Sequence, residues 1–207
     1  NSMPIFQGVG QFGSLRSPEA GAPRYVGVKF NENFRLLYQD FDLVNEQEEG
    51  GEKIEPKFFF FFFPIVLLNG GSVFAVGFAM NILNRHPVDI VNACLAVLDG
   101  KGCPVMKPWI RGFTGSFEQV PDAPKSWLLS GTFFVKNTTT VVVTEIPPSF
   151  TYEKYETHLE NLITKGTLVS YDDHSAETPH YILKFKRATL AQMVKRNRLP
   201  TVLKMKE

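Results

Sequence analysis

Cysteine is scarce in this chain, and the scarcity excludes a disulfide-stapled scaffold. The 207 residues include only two cysteines, Cys94 and Cys103, too few for a disulfide framework or a cysteine-based metal knuckle. Cys94 falls within an apolar helical pattern, where a free cysteine usually serves as a buried apolar residue. Reducing, cytoplasmic surroundings are therefore expected.

The chain also lacks long apolar runs and a net excess of charge. No stretch of about 18 uninterrupted apolar residues is present, so no membrane span is expected. Lys and Arg total 22 and Asp and Glu total 21, a net charge of +1, which neither requires nor excludes nucleic acid as a partner. That average hides an acidic stretch, 40–55, and a basic stretch, 184–206. The basic stretch could follow phosphates, but we favour a solvated helix face.

The first residues, "NSMPIFQGVG", lack an initiator methionine and a signal-peptide pattern. Since the composition, 43% hydrophobic and 21% charged, is typical of a soluble globular protein, we expect an internal part of a longer polypeptide.

Strand and helix patterns alternate irregularly along the chain, which predicts an α+β domain from about residue 64 onward after a loop-rich element. Residues 1–23 and the acidic stretch 45–53 are predicted as loops. Strands are predicted within 24–30, 112–120, 126–137, 138–148 and 180–186, and helices within 33–41, 85–100, 151–166 and 188–197.

Two of these helices carry clear end signals. Pro87 suits a first helical position and Gly100 the residue past the end. Gly166 likewise ends the second helix. Each helix has apolar residues predicted to lie on one face: Ile90, Val91, Leu95 and Leu98 in the first, and Tyr152, Tyr155, Leu159, Leu162 and Ile163 in the second.

Six consecutive phenylalanines, 58–63, precede Pro64. Such a run has no two-residue alternation, so every face of the segment is apolar. We expect it to be buried on both sides or to lie at an interface.

Several common catalytic patterns fail on their context. "GVGQFG", residues 8–13, matches G-x-G-x-x-G, but a dinucleotide site needs a helix immediately afterwards, and "SLRSPEAGAP" cannot form one. The four histidines lack metal-ligand spacing, and Asp172, Asp173 and His174 fall in a predicted polar loop. No G-x-S-x-G elbow is present.

Arg24 and Tyr25 stand where a loop of small residues meets a strand. A phenol, with an unperturbed pKa of about 10, is a poor nucleophile at neutral pH, but a neighbouring cation stabilises the phenolate. An arginine can also bind a nonbridging phosphate oxygen while the phenol attacks phosphorus. The pair therefore suits phosphoryl transfer, although a tyrosine at the start of a strand is most often a packing residue.

The surrounding sequence resembles the type IIA DNA topoisomerases. "GVGQFGSLRSPEAGAPRYVGVKF" is similar to the family's active-site segment, in which a glycine-rich stretch and a loop of small residues lead to Arg-Tyr. "PIVLLNGGSVFAVGFAMNI" and "VVVTEIPPSFTYEKYETHLENLI" resemble two later segments, in the same order. Within the family the chain most resembles the cleavage subunits of T-even bacteriophage topoisomerases, which are related to gyrase A.

The resemblance implies specific roles for individual residues. Tyr25 matches the nucleophile that forms a link to the 5′ phosphate of DNA, and Arg24 matches its arginine neighbour. Phe74 stands where the family has a DNA-wedging isoleucine, and an aromatic ring can also unstack base pairs. Val73 replaces a glycine, which restricts the backbone there. The residues expected to bind DNA are Gln11, Ser14, Arg16, Phe74 and Arg85.

The resemblance also implies an architecture and a set of partners. Residues 1–63 correspond to the C-terminal part of a winged-helix domain, and residues 64–207 to an α+β tower domain. The expected partners are double-stranded DNA, a second copy of the gyrase A-like cleavage chain, and a gyrase B-like subunit that binds Mg²⁺ and hydrolyses ATP. This chain itself is expected to bind no metal, and its setting is the cytoplasm, that of a bacterial host if phage-encoded.

The main alternative is a non-catalytic DNA-binding or assembly fragment in which Tyr25 only packs. No general base is identifiable in the sequence, and Arg24 cannot serve as one because a guanidinium stays protonated.

Overall fold

A computed structural model describes residues 2–14, 16–38, 43–44, 46–54, 56–62 and 64–207. The chain divides into two compact units. Unit 1 comprises Asn1–Phe12 and Gly21–Arg111, and unit 2 comprises Gly13–Ala20 and Gly112–Glu207. Among the described residues, no helix combines the length and apolar composition that crossing a bilayer requires. Helices and strands occur together in both units, so the mixed α and β composition expected from the sequence is confirmed.

Unit 1 is built from three two-stranded antiparallel hairpins and three helices within its described residues. The hairpins pair β1 with β2, β3 with β4, and β5 with β6. The strands are β1 (Phe6–Val9), β2 (Gly27–Phe30), β3 (Gln47–Glu49), β4 (Glu52–Ile54), β5 (Gly71–Ala75) and β6 (Phe78–Ile82), and the helices are α1 (Phe34–Leu37), α2 (Ile65–Asn69) and α3 (Pro87–Leu98).

Two segments of unit 1 that were predicted as loops contain strands. Within residues 1–23, β1 pairs with β2 in a register that sets Val9 opposite Gly27. The acidic stretch 45–53 forms most of the β3–β4 hairpin, whose turn is Gly50–Gly51 at φ of 64° and 87°. Positive φ favours glycine, so this glycine pair was the overlooked hairpin signal. Residue 45 lies outside the described part.

Helix α3 has the predicted ends but not the predicted buried face. Pro87 occupies its first turn, and the His86 side chain accepts a hydrogen bond from the Val88 N–H at 3.3 Å. Gly100 follows the helix at φ of 73°. Its buried residues are Ile90 and Ala93, whereas Val91, Leu95 and Leu98 are exposed within this chain.

The phenylalanine run is not buried on both sides. Phe58, Phe60 and Phe62 are exposed, while Phe59 packs edge-on against Tyr38 with ring centroids 5.1 Å apart. The described residues of the run join no strand, so no sheet covers their faces. Residue 63 lies outside the described part of the chain, and an interface role for the run stays a prediction.

Unit 2 combines a four-stranded antiparallel sheet, in the order β11-β12-β10-β9, with a separate β7–β8 hairpin. Helices complete the unit. The strands are β7 (Ser116–Val120), β8 (Ala123–Ser130), β9 (Thr132–Val135), β10 (Thr140–Glu145), β11 (Ser170–Asp173) and β12 (Tyr181–Lys184), and the helices are α4 (Tyr152–Thr164), α5 (Arg187–Lys195) and α6 (Leu199–Val202).

One apolar core holds unit 2 together. Tyr155 and Leu159 on α4 are fully buried with Val141 and Val143 of the central strand β10, as the amphipathic pattern predicts. Thr151 caps α4 by accepting a hydrogen bond from the Lys154 N–H. Unlike the prediction of a polar loop, Asp172 and Asp173 lie in the edge strand β11. Edge strands tolerate charged residues because one side faces solvent.

The C-terminal residues complete this core. Met205 is buried and accepts a hydrogen bond from the Gly131 N–H on its carbonyl oxygen at 2.8 Å. Glu207 exchanges two backbone hydrogen bonds with Leu129 of β8. Burial lowers the pKa of His158, so its neutral ring can donate from Nε2 to the Val202 carbonyl oxygen at 2.9 Å.

Candidate functional site

Tyr25 closes a short 3₁₀ turn, Pro23–Tyr25, that leads directly into β2. Pro23 fixes the start of the turn, and the Tyr25 N–H donates to the Ala22 carbonyl oxygen at 2.9 Å. The backbone is thus held by local bonds, while 75% of the tyrosine residue is exposed. A packing role for Tyr25 within this chain finds no support in this geometry, because its ring is not covered.

The glycine-rich stretch supports this turn from the other strand of the hairpin. Gly10 has φ of 97°, and a Cβ placed on it would lie 2.7 Å from the Tyr25 carbonyl oxygen. The Gly21 N–H donates to the Gln11 carbonyl oxygen at 2.9 Å. Gly10 therefore allows the two backbones to approach more closely than any side chain would permit.

The Arg24 guanidinium lies over the Tyr25 ring, with 6.0 Å from its central carbon to the ring centroid. No carboxylate pairs with Arg24 within the part of the chain that the structure describes. Its charge is therefore available to a phosphate next to the phenol. An exposed phenol, an available guanidinium and a closely packed backbone are the features that phosphoryl transfer to tyrosine requires.

The structure brings only Gln11 of the five residues expected to bind DNA into the backbone network of the Tyr25 turn. Its side chain is exposed, while its carbonyl oxygen holds Gly21. Ser14 and Arg16 belong to unit 2. There the Ser14 hydroxyl accepts from the Ser17 N–H at 3.0 Å, and Arg16 donates to the Ser175 carbonyl oxygen at 2.8 Å.

Phe74 lies on the β5–β6 hairpin with 82% of the residue exposed. Directly opposite residues of an antiparallel pair share a face, so Phe74 and Ala79 lie on one side with Ser72 and Asn81. Val73 is an ordinary strand residue, since Asn197 and Lys204 are the only described non-glycine residues with positive φ. The concern that valine cannot adopt the backbone required there was wrong.

Sequence reasoning missed Phe78, which is 81% exposed on the opposite face of the same hairpin. It shares that face with Val73, Ala75 and Met80. The signal was the spacing F-A-V-G-F, in which Gly77 at φ of 82° marks the turn between two strands.

Arg85 lies in the loop before α3 and is tied to its own backbone. Its Nη1 donates to the carbonyl oxygens of Leu83 at 2.7 Å and Asn84 at 3.1 Å. Partial burial lowers the pKa of Arg85, although a guanidinium stays charged. These contacts hold the loop, and the expected role of Arg85 in DNA binding stays a prediction.

Glu145, in the segment "TEIPP", anchors a loop of unit 2 from a buried position. Its Oε2 accepts hydrogen bonds from the Thr114 N–H at 2.9 Å and the Thr114 hydroxyl at 2.8 Å, and its Oε1 accepts from the Ile146 N–H. Because these contacts direct the carboxylate to the protein's own groups, its role is structural.

Comparison with known proteins yields one family and consistent relatives. The family model for DNA gyrase and topoisomerase IV, in each case the A chain of the enzyme, matches residues 1–207. The DNA topoisomerase medium subunit of Enterobacteria phage T4 is 29% identical over 177 residues, which are 86% of this chain and 39% of that protein. DNA topoisomerase 2-alpha of Homo sapiens is 25% identical over 203 residues, 93% of this chain and 13% of that protein.

A solved structure extends the likeness to the fold. The topoisomerase II DNA-binding, cleavage and re-ligation domain of Plasmodium falciparum aligns with a TM-score of 0.89 and 25% identity, covering 100% of this chain and 29% of that one. The DNA topoisomerase 2 of Acanthamoeba polyphaga mimivirus is 26% identical, over 85% of this chain and 14% of that protein. The chain thus spans well under half the length of each of these relatives.

Proposed function

This chain belongs to the gyrase A and topoisomerase IV family, and we propose that it forms part of the cleavage core of a type IIA DNA topoisomerase. The proposed reaction is the cleavage and religation of double-stranded DNA, with ATP-dependent passage of a second duplex. The observation that carries the proposal is the exposed Tyr25 phenol on a turn whose backbone is fixed, beside an Arg24 that no described carboxylate neutralises.

In the proposed cleavage step, the Tyr25 phenol oxygen attacks a backbone phosphorus atom. A bond forms between that oxygen and phosphorus while the bond from phosphorus to the 3′ oxygen breaks. The phenol proton is lost, the departing 3′ oxygen gains a proton, and the 5′ phosphate stays on the tyrosine. Religation reverses each step, because the phosphodiester energy is kept in the tyrosine link.

Arg24 has two tasks in this mechanism. Its guanidinium offers planar donors to a nonbridging phosphate oxygen, and its charge favours the phenolate over the phenol. Since Arg24 cannot accept a proton, the base that takes the phenol proton belongs to another group. We assign none of the described residues to that role.

Other parts of the proposal concern partners. The described residues contain no group of three or more His, Cys, Asp or Glu side chains placed to hold a metal ion, so we propose that Mg²⁺ and ATP are bound by a gyrase B-like partner. Double-stranded DNA and a second copy of the cleavage chain complete the assembly, in the cytoplasm, that of a bacterial host if phage-encoded.

We further propose the domain assignment that the resemblance implies. Residues 1–63 form the C-terminal part of a winged-helix domain, and residues 64–207 form a tower that bends DNA. Phe74 inserts at a base step, and its exposure on a hairpin whose same face carries Ser72 and Asn81 supports that role.

The test is Tyr25→Phe in the complete enzyme with its partners. Only the nucleophilic oxygen is lost, so we expect no covalent DNA linkage and nearly unchanged noncovalent binding, measured by denaturing gels and by filter binding. Tyr171→Phe serves as a matched control because it removes a phenol from unit 2. Tyrosine-linked DNA from Tyr25→Phe would overturn the assignment and favour the non-catalytic DNA-binding or assembly role.

A further inference from the structure

A second surface, in unit 2, is unrelated to the Tyr25 turn in its chemistry. An open groove of about 440 Å³ runs between helix α5 and the end of β9. We call it the α5 groove; its lining residues are Val135, Asn137, Thr138, Arg187, Leu190, Ala191, Val194 and Lys195.

One face of α5 forms a wall of the groove. Its contributions fall at positions 187, 190, 191, 194 and 195, the spacing of a single helical stripe. Arg187 begins the stripe, Lys195 ends it, and the side chains between them are aliphatic. The groove therefore has an apolar middle and a cation at each end.

The opposite wall is rigid and comes from a sheet edge. Val135 ends β9, which among the described strands pairs only with β10. The following turn is fixed by hydrogen bonds from the Thr139 N–H and hydroxyl to Asn137 Oδ1, at 3.0 and 3.1 Å. Val135 and Val194 are about half exposed, so aliphatic surface on both walls lacks a partner within the described chain.

Charge around the groove is of one sign. Residues 178–206 contain no Asp or Glu but eight basic residues: Lys184, Lys186, Arg187, Lys195, Arg196, Arg198, Lys204 and Lys206. Of these, Lys184 pairs with Asp172. Neither Arg187 nor Lys195 pairs with a carboxylate in the part of the chain that the structure describes. The charge complement of the groove is therefore negative.

We propose that the α5 groove binds an acidic peptide segment of a partner protein, with an aliphatic side chain between its valine-lined walls and a carboxylate at each end. Eight helical residues separate Arg187 from Lys195, or about 12 Å along the axis. An extended peptide advances roughly 3.3 Å per residue. The two carboxylates of the partner therefore lie about four residues apart, on either side of the aliphatic anchor.

The groove's shape favours a peptide over duplex DNA. Phosphates need cations on an accessible surface and gain nothing from an aliphatic floor. A peptide side chain in the groove removes apolar surface of Val135, Ala191 and Val194 from water, which favours binding. Arg196 lies beside Lys195 in sequence but does not line the groove, so it separates specific docking from general attraction by positive charge.

The experiment uses the full chain and a fluorescein-labelled nine-residue peptide that carries two glutamates four positions apart and a leucine midway between them. We expect saturable binding, by fluorescence anisotropy, below about 100 µM, an affinity suited to a small interface. Val194→Ser and a leucine-to-serine peptide should each weaken binding about tenfold. Lys195→Gln should weaken it about threefold at low salt, and Arg196→Gln by less.

Thermal melting verifies that each variant folds, and Val135→Ser repeats the apolar test from the opposite wall. No saturable peptide binding would overturn the proposal. Equal losses for Lys195→Gln and Arg196→Gln, or indifference to removal of the leucine, would also overturn it. Displacement of the peptide by a 20-base-pair duplex, with duplex binding weakened by the same Val194→Ser change, would make the groove a nucleic-acid surface. The assay involves no DNA cleavage, so its failure leaves the role of Tyr25 unaffected.

Discussion

At the scale of single residues, Arg24 offers the most direct measure of charge stabilisation. Removing one donor that stabilises transition-state charge usually costs about 10²- to 10³-fold in rate. We therefore expect Arg24→Ala to slow single-turnover DNA cleavage by that factor in the complete enzyme. Lys29→Ala is a matched control, because Lys29 is an exposed cation on β2 of the same hairpin. An Arg24→Ala rate within twofold of wild type would make Arg24 a structural residue.

Phe74 tests whether an exposed ring acts on DNA. A buried phenylalanine loses about 3–5 kcal/mol of stability on truncation to alanine, whereas Phe74 is largely exposed. We expect Phe74→Ala to leave the melting temperature within about 2 °C. It should reduce the bend of a labelled duplex, because unstacking a base step requires an inserted ring.

Phe78→Ala is the control for Phe74, since it removes an equally exposed ring from the other face of the hairpin. Bending, measured by fluorescence transfer, should change little in that variant. Unchanged bending with a sharply lowered melting temperature in Phe74→Ala would instead make Phe74 a core residue.

At the scale of elements, the β1–β2 hairpin depends on Gly10. The left-handed φ of Gly10 and its contact with the Tyr25 carbonyl oxygen both exclude a side chain. We expect Gly10→Ala to shift the Tyr25 turn and to lower the cleavage rate at least tenfold, equivalent to about 1.4 kcal/mol. Gly27→Ala, in β2, should stay within twofold, because the nearest atom to its added Cβ lies 4.0 Å away. Equal rates for the two variants would contradict this role.

Elements with strong periodicity were predictable, and those fixed by distant partners were not. The apolar run of β10 and the stripe of α4 match the core of unit 2. In contrast, β1 has too few residues for a pattern and exists because β2 pairs with it. The pairing of Glu207 with Leu129 joins residues far apart in sequence, and no local signal encodes such a contact.

The candidate site was predictable only in part, for the same reason. The order of residues in "GVGQFG" and Arg24-Tyr25 indicated a reactive turn, and the structure adds the close approach of Gly10. The exposed face of α3 was not predictable, because its 3.6-residue period fits several apolar stripes. Periodicity alone does not decide which stripe is buried.

At the scale of the whole molecule, the two units differ in how much apolar surface they bury. The core of unit 2 contains residues from α4, α5, α6, β10 and β12. In unit 1, the described strands form two-stranded hairpins with largely exposed residues. An isolated two-stranded hairpin is marginally stable in water, so local opening should cost far less there.

Amide hydrogen exchange of the intact chain, followed by mass spectrometry, measures this difference. After correction for intrinsic rates, we expect peptides from β10, β12 and α4 to exchange at least about 100-fold more slowly than those from β5 and β6, equivalent to about 2.8 kcal/mol of opening free energy. Strand β7 is the control, since it lies in unit 2 but among the described strands pairs only with β8. It should exchange as rapidly as β5, because protection follows burial in the core. Slow exchange throughout β5 and β6 would contradict this account and show that the hairpin carrying Phe74 is stabilised as strongly as the core.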